Sequence, residues 1–363
     1  MSRLTLLLYL LISTLFIGCS LFENEQELIG EWESIGLPVT AAYDLFLYDG
    51  TLYAATGHDG LYSKKITDNS TDWNYLGLEI KNDERFFGSG VQQVDVYDEL
   101  LTVRYVGPPI IDDSTRIGVL RSNDFGENWF SLDNGLRLSI FNESHSIRLS
   151  RSPNNPNIIL SASFGLTFYS HDNGLRWNYN ASDSSIIGGT QLYRGYTWHP
   201  EKENEVWSFG ESNFFLPYIG KSQDYGKNWS FFSVPDLLND QGIYSLIFDS
   251  SHHNIFYVGT STGFYKAIIV NIDNEVEEIK FESIFRNQGD GYFYQIKERK
   301  LRPGNLFISS GRYIYIFNTT TQKVNLIEIP SSLSYIYDLV VDEERDLLFA
   351  SGEGGIYKAK LNS

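Results

Sequence analysis

An octapeptide that recurs three times without a gap constrains this chain more than any other feature. SNDFGENW spans 122–129, SHDNGLRW spans 170–177 and SQDYGKNW spans 222–229. The shared pattern is Ser-x-Asp-x-Gly-x-x-Trp, and its serines, Ser122, Ser170 and Ser222, lie 48 and 52 residues apart. Each copy follows one apolar run and leads into another, so each reads as a turn between two strands. Asp124, Asp172 and Asp224 can accept hydrogen bonds from the backbone N–H groups of such a turn. Gly126, Gly174 and Gly226 can supply the positive φ that closes it. Trp129, Trp177 and Trp229 open the next strand with a large surface to bury. Self-similarity at a period near fifty marks a repeat architecture.

Degenerate copies extend the period over the chain. LYAATGHDGLYSK (52–64), IFYVGTSTGFYKA (255–267), LFISSGRYIYIF (306–317) and LLFASGEGGIYKAKL (347–361) each read as two strands joined by a tight turn. Each unit opens with an inner strand: 43–48, 91–98, 145–150, 192–198, 242–249, 292–298 and 335–342. Residues 29–363 thus divide into seven four-stranded units of about 48 residues each. Radially arranged, such units form an all-β, seven-bladed propeller of antiparallel blades, which hides its sheet edges. The last unit runs out after three strands at Leu361, whereas GEWESIGLP (30–38) carries an unattached Trp32 at the other end. The N-terminal strand is therefore expected to close blade seven.

Composition agrees with strands and tight turns. The chain is 42% hydrophobic and 15% aromatic, with 31 glycines, so it is not disordered. The net charge of −18 and the absence of a long basic cluster argue against nucleic-acid binding. The six histidines show no metal-ligand spacing, and no Gly-rich phosphate loop precedes a helix. No cofactor or metal is expected.

The first residues, MSRLTLLLYLLISTLFIGCS, place Arg3 before an apolar stretch too short to span a bilayer comfortably. The stretch ends at Gly18-Cys19-Ser20, and Cys19 is the only cysteine. This segment resembles a bacterial lipoprotein signal peptide, with Leu15-Phe16-Ile17-Gly18-Cys19 as its lipobox. The resemblance implies a signal peptide over 1–18 and an acylated Cys19 anchored in a lipid bilayer. Residues 19–28 would form a tether, and 29–363 the propeller. Ser20 is similar to the residue type that directs such proteins to an outer membrane of the cell envelope.

The octapeptides resemble the Asp-box, or BNR, repeats of sialidases, sortilin-type propellers and photosystem-assembly propellers. The resemblance implies that each box links the third and fourth strands of a blade, at the periphery and away from the central funnel. It transfers a fold and no chemistry. Sialidases carry their first arginine in an Arg-Ile-Pro motif, which this chain lacks. No catalytic residue is carried over.

Candidate chemistry then falls on the funnel face, formed by second-to-third strand loops and blade-to-blade links. There the sequence offers Arg85, Arg116, Arg286 and Arg312, with Glu211 and the aromatics Phe214, Phe215 and Tyr218, as ligand-binding residues. Two functions follow. One is a non-catalytic binding or assembly module for a protein or glycan. The other is a surface glycoside hydrolase, which needs two carboxylates about 5 to 9 Å apart; Glu211 with Asp113 or Asp59 is the pair to inspect. A funnel plugged by Phe and Tyr favours the first.

Overall fold

The structure, a computed structural model, describes residues 28–67, 72–80, 89–107, 117–136, 148–163, 165–181, 191–212, 214–272, 276–286 and 291–362. They form seven four-stranded antiparallel sheets, each with its strands in spatial order. Blade 1 comprises Asp44–Tyr48, Thr51–Ala55, Leu61–Lys65 and Asn74–Tyr75. Blade 2 comprises Gly90–Tyr97, Leu100–Val106, Ile117–Ser122 and Phe130–Ser131; blade 3 comprises Ser150–Arg151, Ile159–Ser163, Leu166–Ser170 and Asn178–Ala181. Blade 4 comprises Gln191–Trp198, Val206–Ser212, Pro217–Ser222 and Ser230–Ser233; blade 5 comprises Ile243–Phe248, Ile255–Thr260, Gly263–Ile272 and Val276–Arg286. Blade 6 comprises Phe293–Glu298, Asn305–Ser310, Tyr313–Asn318 and Val324–Ile327.

Blade 7 takes Tyr335–Asp342, Leu347–Glu353 and Gly355–Leu361 from the C-terminal end and Ile29–Ser34 from the N-terminal end. Trp32 lies opposite Ala359, and Glu33 opposite Lys358. Leu28, assigned to the tether on sequence, packs against the seam between blades 6 and 7, and its carbonyl accepts the Asn362 N–H at 3.1 Å.

The first strands of consecutive blades pack against one another around the axis, including those of blades 7 and 1. Alternating strand direction then puts the second-to-third turns on the face where the inner strands begin, and the third-to-fourth turns on the opposite face. The core is divided among seven clusters of described residues, one per seam between blades. Each is built where the apolar faces of two twisted sheets meet, which is the only way a single sheet can bury both sides. The seam between blades 3 and 4 is the smallest, with Ala162, Tyr193 and Tyr218 as its fully buried members. The sole helical element among the described residues is a 3₁₀ turn at Pro235–Leu237.

The three octapeptides occupy equivalent third-to-fourth strand turns. Ser122 Oγ donates to Asp124 Oδ1 at 2.7 Å and accepts the Gly126 N–H at 2.8 Å, while Asp124 Oδ1 accepts the Asn128 N–H at 2.9 Å. Ser170, Asp172 and Gly174 repeat this arrangement, as do Ser222, Asp224 and Gly226. The three glycines have φ of 93°, 85° and 85°, conformations that L side chains rarely adopt. The turn thus pairs its backbone donors with its own serine and aspartate.

The tryptophan of each box does something the sequence does not announce. Trp177 Nε1 donates to Leu132 O in the preceding blade at 2.8 Å, and Trp129 Nε1 donates to Leu76 O at 3.0 Å. Trp73 to Ile35 O and Trp32 to Glu328 O continue the series around the closure. Trp229 breaks it, donating to Gly226 O within its own turn. At that seam Asn180 reaches across instead, donating to Lys227 O at 2.7 Å.

Candidate functional site: the tyrosine-rimmed channel

Five of the seven inner strands begin with an irregularity at the same depth. The register shifts between Val91 and Gln93, Tyr193 and Gly195, Ile243 and Ser245, Phe293 and Gln295, and Ile336 and Asp338. The extra residues are Gln92, Arg194, Tyr244, Tyr294 and Tyr337. Tyr43 and Arg148 hold the matching positions in blades 1 and 3, just before their ladders start. A bulge re-aims one side chain and sharpens the local twist. In a ring of blades it turns one side chain per blade toward the channel mouth.

Tyrosines dominate that mouth. Ring centroids lie 5.0 Å apart for Tyr43 and Tyr337, 5.3 Å for Tyr337 and Tyr335, and 6.0 Å for Tyr335 and Tyr294. The row continues through Tyr292, 5.6 Å from Tyr294, to Tyr244, stacked on Tyr292 at 4.6 Å. It ends at Arg194, whose Cζ lies 4.9 Å from the Tyr244 ring centroid. Burial pushes the phenol groups of Tyr244, Tyr294 and Tyr337 well above their ordinary range, so they stay protonated donors.

One residue deeper, side chains fasten four of the seven blades to the next. Asp44 Oδ2 accepts the Val94 N–H at 3.0 Å. Gln93 accepts the Leu149 N–H at 2.6 Å and donates to its carbonyl at 2.9 Å. Ser245 Oγ donates to Phe293 O at 2.7 Å. Asp338 Oδ2 accepts the Leu45 N–H at 2.9 Å. Burial, with repulsion from Asp338, pushes the Asp44 carboxyl up to about 7.

The sequence-derived ligand residues separate into groups. Arg85 and Arg116 lie outside the described residues, as does Cys19. Phe214 and Phe215, 65% and 62% exposed, stand on the second-to-third loop of blade 4 on the channel-mouth face. Arg312, exposed in the corresponding turn of blade 6, is on that face too. Arg286 is at the end of an outer strand, donating to Thr262 Oγ1 and to Tyr265 OH, away from the axis.

Two expectations need correction. Tyr218 is fully buried, its ring edge-on to Tyr193 and Phe231 in the seam between blades 3 and 4, and has no surface for a ligand. Glu211 is also buried, and both its oxygens accept from Arg194 Nε, at 2.9 and 3.0 Å. Gly242 is needed beside it, since a Cβ there would lie 2.8 Å from Glu211 Oε2. Burial pushes the Glu211 carboxyl up and the Arg194 guanidinium pulls it back. A buried carboxylate so clamped is committed to holding Arg194.

The residues that do line the mouth were missed because sequence located the inner strands without their phase. A signal existed: aligned on the bulge, the pairs read Tyr43-Asp44, Gln92-Gln93, Arg148-Leu149, Arg194-Gly195, Tyr244-Ser245, Tyr294-Gln295 and Tyr337-Asp338.

Among the described residues, no cluster of three or more His, Cys, Asp or Glu side chains could hold a metal ion, and no helix is long and apolar enough to cross a membrane. No protein-family model and no curated protein matches the sequence. Solved structures do match the fold. YCF48 from Cyanidioschyzon merolae is similar at 13% identity with a TM-score of 0.62, over 91% of this chain and 98% of that one. A structure described as YCF48 bound to D1 peptide is similar at 15% identity and a TM-score of 0.61, over 92% and 97%. The extracellular domain of the hybrid two-component system BT4673 from B. thetaiotaomicron is similar at 10% identity and a TM-score of 0.64, over 92% of this chain and 40% of that one. At such identities the likeness establishes a seven-bladed β-propeller.

Proposed function

We propose that this chain is a non-catalytic binding propeller that holds a segment of a protein partner at its channel mouth, tethered to a cell-envelope membrane through lipid on Cys19. The observation that carries the binding role is the continuous row of six tyrosines ending at Arg194. Tyrosine offers large contact area, little rotamer entropy and a hydroxyl that can pair with a peptide group. Here ring contacts already engage the aromatic faces, which leaves edges and hydroxyls rather than the open flat platform that a sugar ring stacks on. A structural neighbour carries a bound peptide, which supports a protein ligand over a glycan. The hydrolase reading loses the carboxylate common to both of its pairs, since Glu211 is clamped by Arg194; of the two partners expected for it, Asp113 lies outside the described residues and Asp59 stands on the second-to-third loop of blade 1.

The test is site-specific photocrosslinking in native envelopes. A crosslinking amino acid at Tyr292 should capture a protein, while the same group at Leu175, exposed in the second Asp-box, should not. Equal capture at both positions, or hydrolysis of oligosaccharides by the purified chain, would overturn the proposal.

A further inference from the structure

Below the tyrosine rim the channel widens into a cavity of about 250 Å³, bounded by inner-strand residues of blades 2 to 6. Its lining contains Arg148 and Lys297, the amides Gln93 and Gln295, and the phenols Tyr244 and Tyr294. It contains no carboxylate among the described residues, although the chain as a whole carries a charge of −18. That inversion of sign is the first observation.

The second concerns unmet donors. Gln295 is 6% exposed, and its Nε2 is buried with no hydrogen-bond partner. Arg148 is half-buried and makes no hydrogen bond with any described residue, and its charge is felt by the Asp44 carboxyl. It is also held at φ 127°, a strained conformation for a residue other than glycine. Arg104, on the second strand of blade 2, brings another guanidinium into the neighbourhood, with its Nε buried and unpartnered. Burial and the charge of Arg148 lower its pKa to about 10. Lys297, 36% exposed, pairs with Asp338, its Nζ 3.6 Å from Oδ1, on a carboxylate that also accepts the backbone N–H groups of Leu45 and Leu339. A buried amide donor without an acceptor, beside a guanidinium that no hydrogen bond engages, is costly unless something supplies lone pairs.

We infer that this cavity is a binding site for a carboxylate group, held by Arg148, Lys297 and Gln295 Nε2 beneath the tyrosine hydroxyls. A carboxylate is flat, accepts at two oxygens, and matches a guanidinium face and an amide N–H together. Its carrier is either a free small acid or the C-terminus of a polypeptide. Both reach the site through the tyrosine mouth, and the site stands whether or not the mouth itself grips a protein.

The test is calorimetric titration of the folded chain with succinate, with a free-acid hexapeptide, and with the same hexapeptide amidated at its C-terminus. Binding of at least one free acid is expected, weakened tenfold or more by Arg148→Gln and by Gln295→Met. Succinate binding assigns the site to small acids; binding of the free-acid peptide, lost on amidation, assigns it to a chain end. No carboxylate binding, or binding unchanged in both variants, would overturn the site.

Discussion

Asp338 accepts the backbone N–H of Leu45 at 2.9 Å across 293 residues of sequence, fastening the last inner strand to the first. The same carboxylate caps its own Leu339 N–H and neighbours Lys297. Its removal unpairs two buried donors and a cation together. Asp338→Ala should therefore cost about 2 to 4 kcal/mol, and Asp338→Asn, which keeps one acceptor oxygen, about half of that. Equilibrium denaturation of the two variants checks the difference, and equal losses would remove the closing role from this contact.

The indole series predicts unequal costs among identical motifs. Trp177, 5% exposed and donating across a seam, should cost about 3 to 5 kcal/mol as alanine. Trp229 is only half-buried and donates within its own turn, so Trp229→Ala should cost about 1 to 2 kcal/mol less. Asp172→Ala, which frees the Arg176 N–H and the Ser170 hydroxyl, should cost about 1 to 3 kcal/mol. Thermal denaturation of the three variants at one pH is sufficient.

The same break marks the place where the ring should open first. The seam between blades 3 and 4 has the smallest core cluster and lacks the bridge from the box tryptophan, the indole of Trp198 donating to Ser150 Oγ across it at 3.1 Å instead. Amide exchange should accordingly be faster in Asn178–Ala181 and Ser230–Ser233 than in Tyr335–Asp342 and Leu347–Glu353. Uniform protection around the ring would show that cluster size does not set local stability.

What could be read from sequence divides by kind of information. The blades were legible because the Asp-box is local: Ser170, Asp172 and Gly174 satisfy one another within four residues. The split closure was legible because Trp32 had no box of its own. The channel was not legible, since its rim depends on a one-residue bulge in five of the seven inner strands, and a bulge reverses which side chains face inward. Tyr218 shows the same limit from the other side. On the third strand of blade 4 its alternation admits either face, and only the neighbouring Tyr193 decides that it is buried.

Closure by the N-terminal strand gives a prediction about truncation. Removing residues 1–27 should leave stability nearly unchanged. Removing residues 1–34 should destabilise the whole ring, because it leaves Gly355–Leu361 unpaired and uncovers the seam that Ile29 and Trp32 help to fill. Glu33 and Lys358 face each other across these strands, so Glu33→Cys with Lys358→Cys should form a disulfide in an oxidising buffer. Equal melting temperatures for the two truncations would contradict this closure.

The proposed anchor is tested independently of the fold. Cys19→Ser should abolish incorporation of a labelled fatty acid and move the protein from the detergent phase to the aqueous phase, since stable anchoring needs more than one acyl chain. Unchanged partitioning would remove the lipid from the proposal and leave the propeller reading intact.

Asp44 makes stability depend on pH in an unusual direction. Burial first, and then the nearby Asp338, raise its folded pKa to about 7, against about 3.9 for an unfolded aspartate. Between these values the folded state holds a proton that the unfolded chain has released. Stability from this group is therefore fully present below about pH 4, falls as pH rises toward 7, and levels off above it. The swing should be about 1 to 3 kcal/mol, given the partial exposure of the side chain to the channel. Asp44→Asn keeps an acceptor for the Val94 N–H without the charge, so it should flatten the curve between pH 4 and 7 and be more stable than the parent at pH 8. Urea denaturation at pH 5, 6, 7 and 8 measures both. An Asn variant that loses stability equally at every pH would mean that the ionised carboxylate is the favoured partner of Arg148, and that its charge is welcome in the channel.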